Sequence, residues 1–150
     1  MTGQVFGQEL RVQGNFLVLG YINDPFIGFG VGLENPMGKH FSLNLDANYG
    51  KQDRGRTLEF RSAVHYYVGR NQTGFYIGPA LKYINLKEEN ELIDRYDDHL
   101  YAPGFDIGVK TDFLGFSSLG LNLNPHLTVG GDGESAVAGM SAQVALGFYF

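Results

Sequence analysis

The sequence of 150 residues has no cysteine and no tryptophan, and its 11 lysines and arginines are outnumbered by 16 acidic residues. The absence of cysteine excludes disulfides, thiolate metal sites and a catalytic thiol. The net charge of −5 argues against a nucleic-acid partner, because contacts to phosphate need a basic surface. No run approaches the roughly 18 consecutive apolar residues of a transmembrane helix. These absences exclude a helical membrane protein and leave a β-barrel open.

The chain is rich instead in glycine (22 residues), phenylalanine (12) and tyrosine (9). Apolar and polar residues alternate along most of it; between residues 40 and 50, for example, Phe41, Leu43 and Leu45 alternate with polar residues. A period of two is typical of β-strands and not of helices. The alternation predicts eight strands, most of about 9–14 residues and so long enough to span a bilayer when tilted. They are residues 8–20, 26–34, 40–50, 57–68, 75–87, 101–112, 118–129 and 140–150.

The connections between the predicted strands alternate in character. Short connections with Gly, Pro or Asn, which are common in turns, lie at 35–39, 69–74 and 113–117. The other set is longer or more polar and comprises 51–56, 87–100, 130–136 and, by its position, 21–25. Outer-membrane barrels have short periplasmic turns and long extracellular loops. We therefore predict one domain, residues 1–150, folded as an all-β, eight-stranded antiparallel up-and-down transmembrane β-barrel with periplasmic termini.

The alternation alone fits two opposite barrels. In a soluble lipocalin-like barrel the apolar face lines the interior, whereas in a membrane barrel it meets lipid. The apolar face here holds about three dozen side chains, more than the interior of eight strands accepts. The polar face includes Gly28, Gly30 and Gly32, which leave room in a narrow lumen for long side chains such as Arg11 and Arg61. We therefore place the apolar face outside. A soluble barrel that binds a small hydrophobic ligand is the alternative.

The three glycines also raise a different interpretation, a phosphate-binding loop. Such a loop needs a further glycine where Leu33 stands, and a helix after it. Neither is present in the sequence, so the strand interpretation is favoured.

This orientation places ten charged residues inside the lumen. An unpaired buried charge is very costly, so these residues should pair with one another. We predict a lumen plugged by paired charges rather than an ion path. The predicted network, with Glu9 and Asp112 as further inward charges, comprises Arg11, Glu34, Asp46, Glu59, Arg61, Lys82, Asp106 and Lys110.

Two stretches resemble a known group of proteins. The terminal VALGFYF, with alternating apolar residues that end in phenylalanine, and HYYVGRNQTGFYIGPAL at 65–81 resemble the small eight-stranded outer-membrane barrels. That group includes the outer-membrane protein A transmembrane domain and its X-type relatives. The resemblance implies a bacterial outer-membrane location after removal of a signal peptide, contact with the lipid bilayer and lipopolysaccharide, and a monomer. It also implies that Phe148 and Phe150 form a signal for the barrel-assembly machinery.

The longest predicted loop is also the most acidic, with six acidic residues against two basic ones between 87 and 100. Its polar stretch includes Leu92, Ile93 and Tyr96, apolar residues that solubility alone does not require. Because binding residues concentrate in loops on a rigid scaffold, we predict that it binds an extracellular protein partner. The predicted binding residues are Glu88, Glu89, Glu91, Leu92, Ile93, Asp94, Tyr96, Asp97 and Asp98.

A catalytic site has little support in the sequence. Asp98 and His99, with Ser135 in another predicted loop, are residue types of a hydrolase at the barrel rim, but adjacent side chains on a strand point apart. The acidic loop lacks the ligand order of a calcium loop. We expect a non-enzymatic scaffold protein without metal or cofactor.

Overall fold

The protein is described by a computed structural model, which covers residues 9–19, 26–52, 55–69, 72–90, 93–130 and 136–149, with side chains at 27–51, 55–69, 72–87, 99–130 and 136–149. It has eight strands: β1 (Glu9–Leu19), β2 (Phe26–Met37), β3 (Phe41–Gln52), β4 (Gly55–Tyr67), β5 (Gly74–Asn90), β6 (Ile93–Phe113), β7 (Ser117–Val129) and β8 (Ala136–Tyr149). Each strand pairs antiparallel with the next, and β8 pairs with β1 to close a barrel. The predicted fold class is confirmed. No helix in these described ranges is long and apolar enough to cross a membrane.

The two faces of the wall have opposite chemistry. In β7, Leu121 and Leu123 face outward and are 52% and 49% exposed, while Asn122 and Asn124 face inward and are buried. The cause is the alternation of side chains across a strand, which sends every second residue to the same face. The described part of the chain therefore has a polar interior and an apolar exterior, the reverse of a soluble globular protein.

Tight turns close one end of the barrel. The turn from β2 to β3 includes Gly38, with φ of 90°, and the turn from β6 to β7 includes Leu114 and Gly115, with φ of 57° and 73°. Glycine adopts such left-handed conformations without the steric cost that a side chain brings. These turns correspond to two of the short connections in the sequence.

The opposite end differs from the prediction. The segment 87–100, predicted as a loop, is mostly a β-hairpin that continues β5 and β6, with Lys87 opposite Asp97 and Asn90 opposite Ile93. The loop prediction was wrong because charged residues occupy both faces there. Strand pairing needs only backbone groups, and alternation appears only where one face is buried. Within this segment, Glu91 and Leu92 lie outside the described residues.

One side chain of the lumen also supports the backbone of the wall. Pro125 in β7 has no N–H to give to the ladder, and the register from Gly104–His126 to Ile107–Leu123 places it opposite Phe105. The amide Nδ2 of Asn124 donates to the carbonyl oxygen of Phe105 at 3.1 Å. The lumen thereby supplies a donor to a carbonyl that the proline cannot satisfy.

Candidate functional site

The middle of the lumen is organised around Arg61 of β4. Its Nε donates to Oδ2 of Asp46 at 2.8 Å, and its Nη2 also contacts that oxygen. Its Nη1 donates to both carboxylate oxygens of Asp106, at 3.1 and 3.0 Å. Asp46 is the direct cross-strand partner of Arg61, whereas Asp106 comes from β6. All three side chains are almost fully buried, so the guanidinium joins two carboxylates across the lumen.

Asp106 is the second centre of this layer. The imidazole Nε2 of His65 lies 2.6 Å from its Oδ2, and Nδ2 of Asn124 donates to its Oδ1 at 2.8 Å. Nδ2 of Asn44 donates to Nδ1 of His65 at 2.9 Å, so the His65 ring accepts at Nδ1 and donates from Nε2. The ring also stacks on Tyr76, with centroids 4.3 Å apart. Side chains of β4 and β7 thus bind the Asp106 carboxylate directly, and side chains of β3 and β5 hold the His65 ring against it.

A second layer lies toward the hairpin end of the barrel. Nζ of Lys82 is 3.4 Å from Oε2 of Glu59 and donates to Oγ of Ser141 at 2.5 Å. Nδ2 of Asn48 donates to the other Glu59 oxygen at 3.0 Å. A cavity of about 30 Å³ adjoins these groups and Gln143. It has room for a bound water but not for a larger ligand.

A third layer closes the end with the tight turns. Nζ of Lys110 lies 2.7 Å from Oε2 of Glu34, and the hydroxyl of Tyr67 donates to Oε1 of Glu34 at 2.7 Å. The same ammonium lies 5.4 Å from the ring centroid of Tyr149, within the range of a cation–π contact. Asp112, predicted inside the lumen, is instead exposed at this mouth, where it accepts from the Tyr149 hydroxyl.

The inward glycines of β2 make room for the side chains of β3. Gly30 is the cross-strand partner of Asn48, and Gly32 is the partner of Asp46. A methyl group on Gly32 would overlap the Asp46 carboxylate, and one on Gly30 would overlap the Asn48 amide. The sequence predicted this space for Arg61 or Arg11; the structure gives it to the carboxylate that binds Arg61.

Most of the predicted lumen residues lie inside the barrel. Seven of the eight have described side chains, and all seven are buried and lie in the three layers above: Glu34, Asp46, Glu59, Arg61, Lys82, Asp106 and Lys110. The backbone of Arg11 pairs with Gly32 and Gly147, but its side chain lies outside the described residues. The neutral members of these layers, His65, Asn44 and Asn124, were not predicted from the sequence. They occupy inward positions of the same alternation, but an uncharged residue gave no reason to expect a partner.

The predicted residues outside the lumen are less fully described. Phe148 lies on the outer face of β8 and is half-buried, while Phe150 is outside the described residues. In the predicted binding segment, residues 88–90 and 93–98 are strand, with undescribed side chains. His99 contacts β5 side chains, with its Nδ1 2.6 Å from the Tyr83 hydroxyl and 3.2 Å from Nδ2 of Asn85.

No protein-family model and no curated protein matches the sequence. Solved structures do. The N-terminal β-barrel domain of Pseudomonas aeruginosa OprF is 16% identical, with a TM-score of 0.65 over 96% of this chain and 99% of that one. Neisserial surface protein A is 10% identical, with a TM-score of 0.66 over 97% of each chain. Ail, the attachment invasion locus protein of Yersinia pestis, is 10% identical, with a TM-score of 0.54 over 97% of this chain and 100% of that one.

These structures define the class of fold. The chain has the fold of the small eight-stranded outer-membrane β-barrels, as the resemblance in its sequence predicted. At this level of identity the similarity concerns the fold and not the activity.

Proposed function

We propose that the protein is a small integral protein of the bacterial outer membrane. The support is the exposed apolar wall, in which Phe29 and Phe105 are 69% and 57% exposed. Exposing such a surface to water would cost about 25 cal/mol for each Å². In lipid the same surface carries no such cost. A soluble barrel that binds a small hydrophobic ligand agrees less well with the structure, because the described lumen is lined with ion pairs.

The lumen in this proposal is a plug and not a channel. The observation that carries it is the bridge from Asp46 through Arg61 to Asp106, which links β3 and β4 to the non-adjacent strand β6 inside the lumen. A wide aqueous pore needs more strands than eight, whose interior is just wide enough for side chains to fill. The layers around Lys82 and Lys110 add further paired charges on either side of the bridge.

The role that follows is non-enzymatic: a rigid scaffold that reinforces the membrane and presents an extracellular element. That element is the hairpin of β5 and β6 and not a loop. We propose it, with Glu88, Glu89, Asp94, Asp97 and Asp98, as the surface for a protein partner. Its acidic character would attract basic partners. Phe148 and Phe150 would act during assembly, and the protein would be a monomer.

Refolding tests the membrane proposal. Urea-denatured protein diluted into detergent micelles should give a β-sheet circular dichroism spectrum and a band whose gel mobility shifts on heating. Protein that is monodisperse and β-folded without detergent would contradict the proposal and favour the lipocalin-like alternative.

Electrical recording tests the plug separately. Wild-type protein in planar lipid bilayers should give no steady single-channel current, because the bridge at Arg61 obstructs the lumen. A large and steady conductance from folded wild type would contradict a plugged lumen while leaving the membrane location intact.

A further inference from the structure

A row of basic residues crosses the outer face of the barrel at the hairpin end. Lys51 of β3 pairs with Arg56 of β4, and Arg56 pairs with Lys87 of β5. We call these three residues the basic row. Lys51 and Arg56 are exposed, and Lys87 is half-buried and lies opposite Asp97. The exposed positive charge of the row therefore belongs to Lys51 and Arg56.

The pairing of Lys51 with Arg56 is electrostatically unfavourable unless an anion binds between the two side chains. Directly opposed residues on antiparallel strands have Cβ atoms about 4.5–5.5 Å apart, and like charges at that separation repel. Among the residues that the structure describes, the ladder neighbours of the pair are Ile27 and Lys87, and neither is acidic. Asp53 and Arg54, between the two strands, are outside the described residues and together carry no net charge.

The position of the pair indicates the kind of anion. Two residues down each strand lie Tyr49 and Leu58, which are themselves cross-strand partners on the outer face. They are 39% and 41% exposed and belong to the apolar wall. Two residues of strand correspond to about 7 Å. A molecule that contacts both levels must be anionic at its head and apolar directly below it.

We propose that Lys51 and Arg56 bind the phosphate group of a phosphorylated lipid in the leaflet at the hairpin end, with Lys87 flanking it. A phosphomonoester carries about −1.5 to −2 charges at pH 7 and three acceptor oxygens. The planar guanidinium of Arg56 can donate two hydrogen bonds to it, and Lys51 supplies a point charge. The acyl chains would lie against Tyr49 and Leu58. This inference rests on the proposed insertion of the barrel in a membrane.

Native mass spectrometry of the refolded barrel tests the site, with diphosphoryl lipid A added to the detergent micelles as the probe. The variant Lys51→Gln/Arg56→Gln should need much more lipid for half-saturation, by about fivefold for each cation removed. The matched control is Lys39→Gln, which removes one exposed lysine from the turn at the other end and should bind as wild type does. Lipid A without its phosphates should bind the wild type no more tightly than diphosphoryl lipid A binds the double variant.

Equal half-saturation for wild type and the double variant would overturn the inference, as would an equal loss in Lys39→Gln. Competition by inorganic phosphate that removes the lipid completely would also overturn it, because the apolar contacts would then contribute nothing. The heat-dependent gel shift of each variant keeps the two proposals apart. A wild type that folds in detergent but binds without regard to Lys51 and Arg56 contradicts the site alone, whereas one that never inserts contradicts both.

Discussion

The inner and outer faces of the same strands differ in how much each residue depends on its neighbours. In β4, Arg61 and His65 face inward and each contacts charged or polar groups from other strands. Phe60 and Tyr66 lie beside them in sequence but face outward, where they are 48% and 43% exposed. A lipid-facing side chain needs only to be apolar, whereas a lumen side chain must match the position and charge of its partners. Adjacent substitutions on one strand should therefore have very different costs.

The largest difference is expected between Arg61 and Phe60. Arg61→Ala leaves Asp46 and Asp106 buried without their shared cation, which should lower the free energy of unfolding by about 3–5 kcal/mol. Phe60→Leu keeps an apolar side chain in lipid and should change the free energy of unfolding by well under 1 kcal/mol. Urea titrations in lipid vesicles, followed by tyrosine fluorescence and the gel shift, measure both. Similar losses in the two variants would contradict the contrast between the faces.

The sequence could predict the face of each residue but not its partners. Alternation alone places Glu34 and Asp106 inside, and cross-strand register explains the pair of Asp46 and Arg61. The contact of Arg61 with Asp106 could not be predicted, because it joins β4 to β6 across the lumen and depends on how the closed barrel staggers its strands.

The prediction of a loop at 87–100 was wrong for a related reason. Where both faces of a strand are solvated, no burial selects one class of residue for each face, and the pattern that marks a strand disappears. The sequence of segment 87–100 therefore predicts a loop, although its backbone forms strand pairs along most of its length.

A smaller contrast is expected between two inward glycines. Gly32→Ala places a methyl group against the Asp46 carboxylate and should cost about 1–3 kcal/mol through displacement of the bond to Arg61. At Gly120 of β7 an added methyl group would meet its nearest atom, Cβ of Ala145, at 3.7 Å, an ordinary contact. Gly120→Ala should be neutral or slightly stabilising, because alanine loses less backbone entropy on folding. The same unfolding titrations apply, and a loss in Gly120→Ala as large as in Gly32→Ala would refute this steric account.

A single hydroxyl gives a finer comparison between adjacent tyrosines. Tyr67 is 1% exposed and donates to the Glu34 carboxylate, whereas Tyr66 faces outward. Tyr67→Phe should lower the free energy of unfolding by about 1–2 kcal/mol, since it removes a hydrogen bond to a charged acceptor. Tyr66→Phe should leave it nearly unchanged. If Tyr66→Phe proved the more costly, the stability of this end would depend on the membrane interface and not on the lumen layer.

The smallest effect on stability is expected from the hairpin, although the change in sequence is the largest. Strand β4 pairs with β5 only as far as Gly55–Glu88, and β7 pairs with β6 only as far as Tyr101. Replacing residues 88–98 with a short Gly-Ser turn thus removes one pair with β4 and otherwise only pairs within the hairpin. The free energy of unfolding should stay within about 0.5 kcal/mol of wild type, and the gel shift should persist. Binding of the protein to cells or to a partner should be lost. Unchanged binding would exclude the hairpin as the site, and a stability loss comparable to that of Arg61→Ala would show that the hairpin supports the barrel itself.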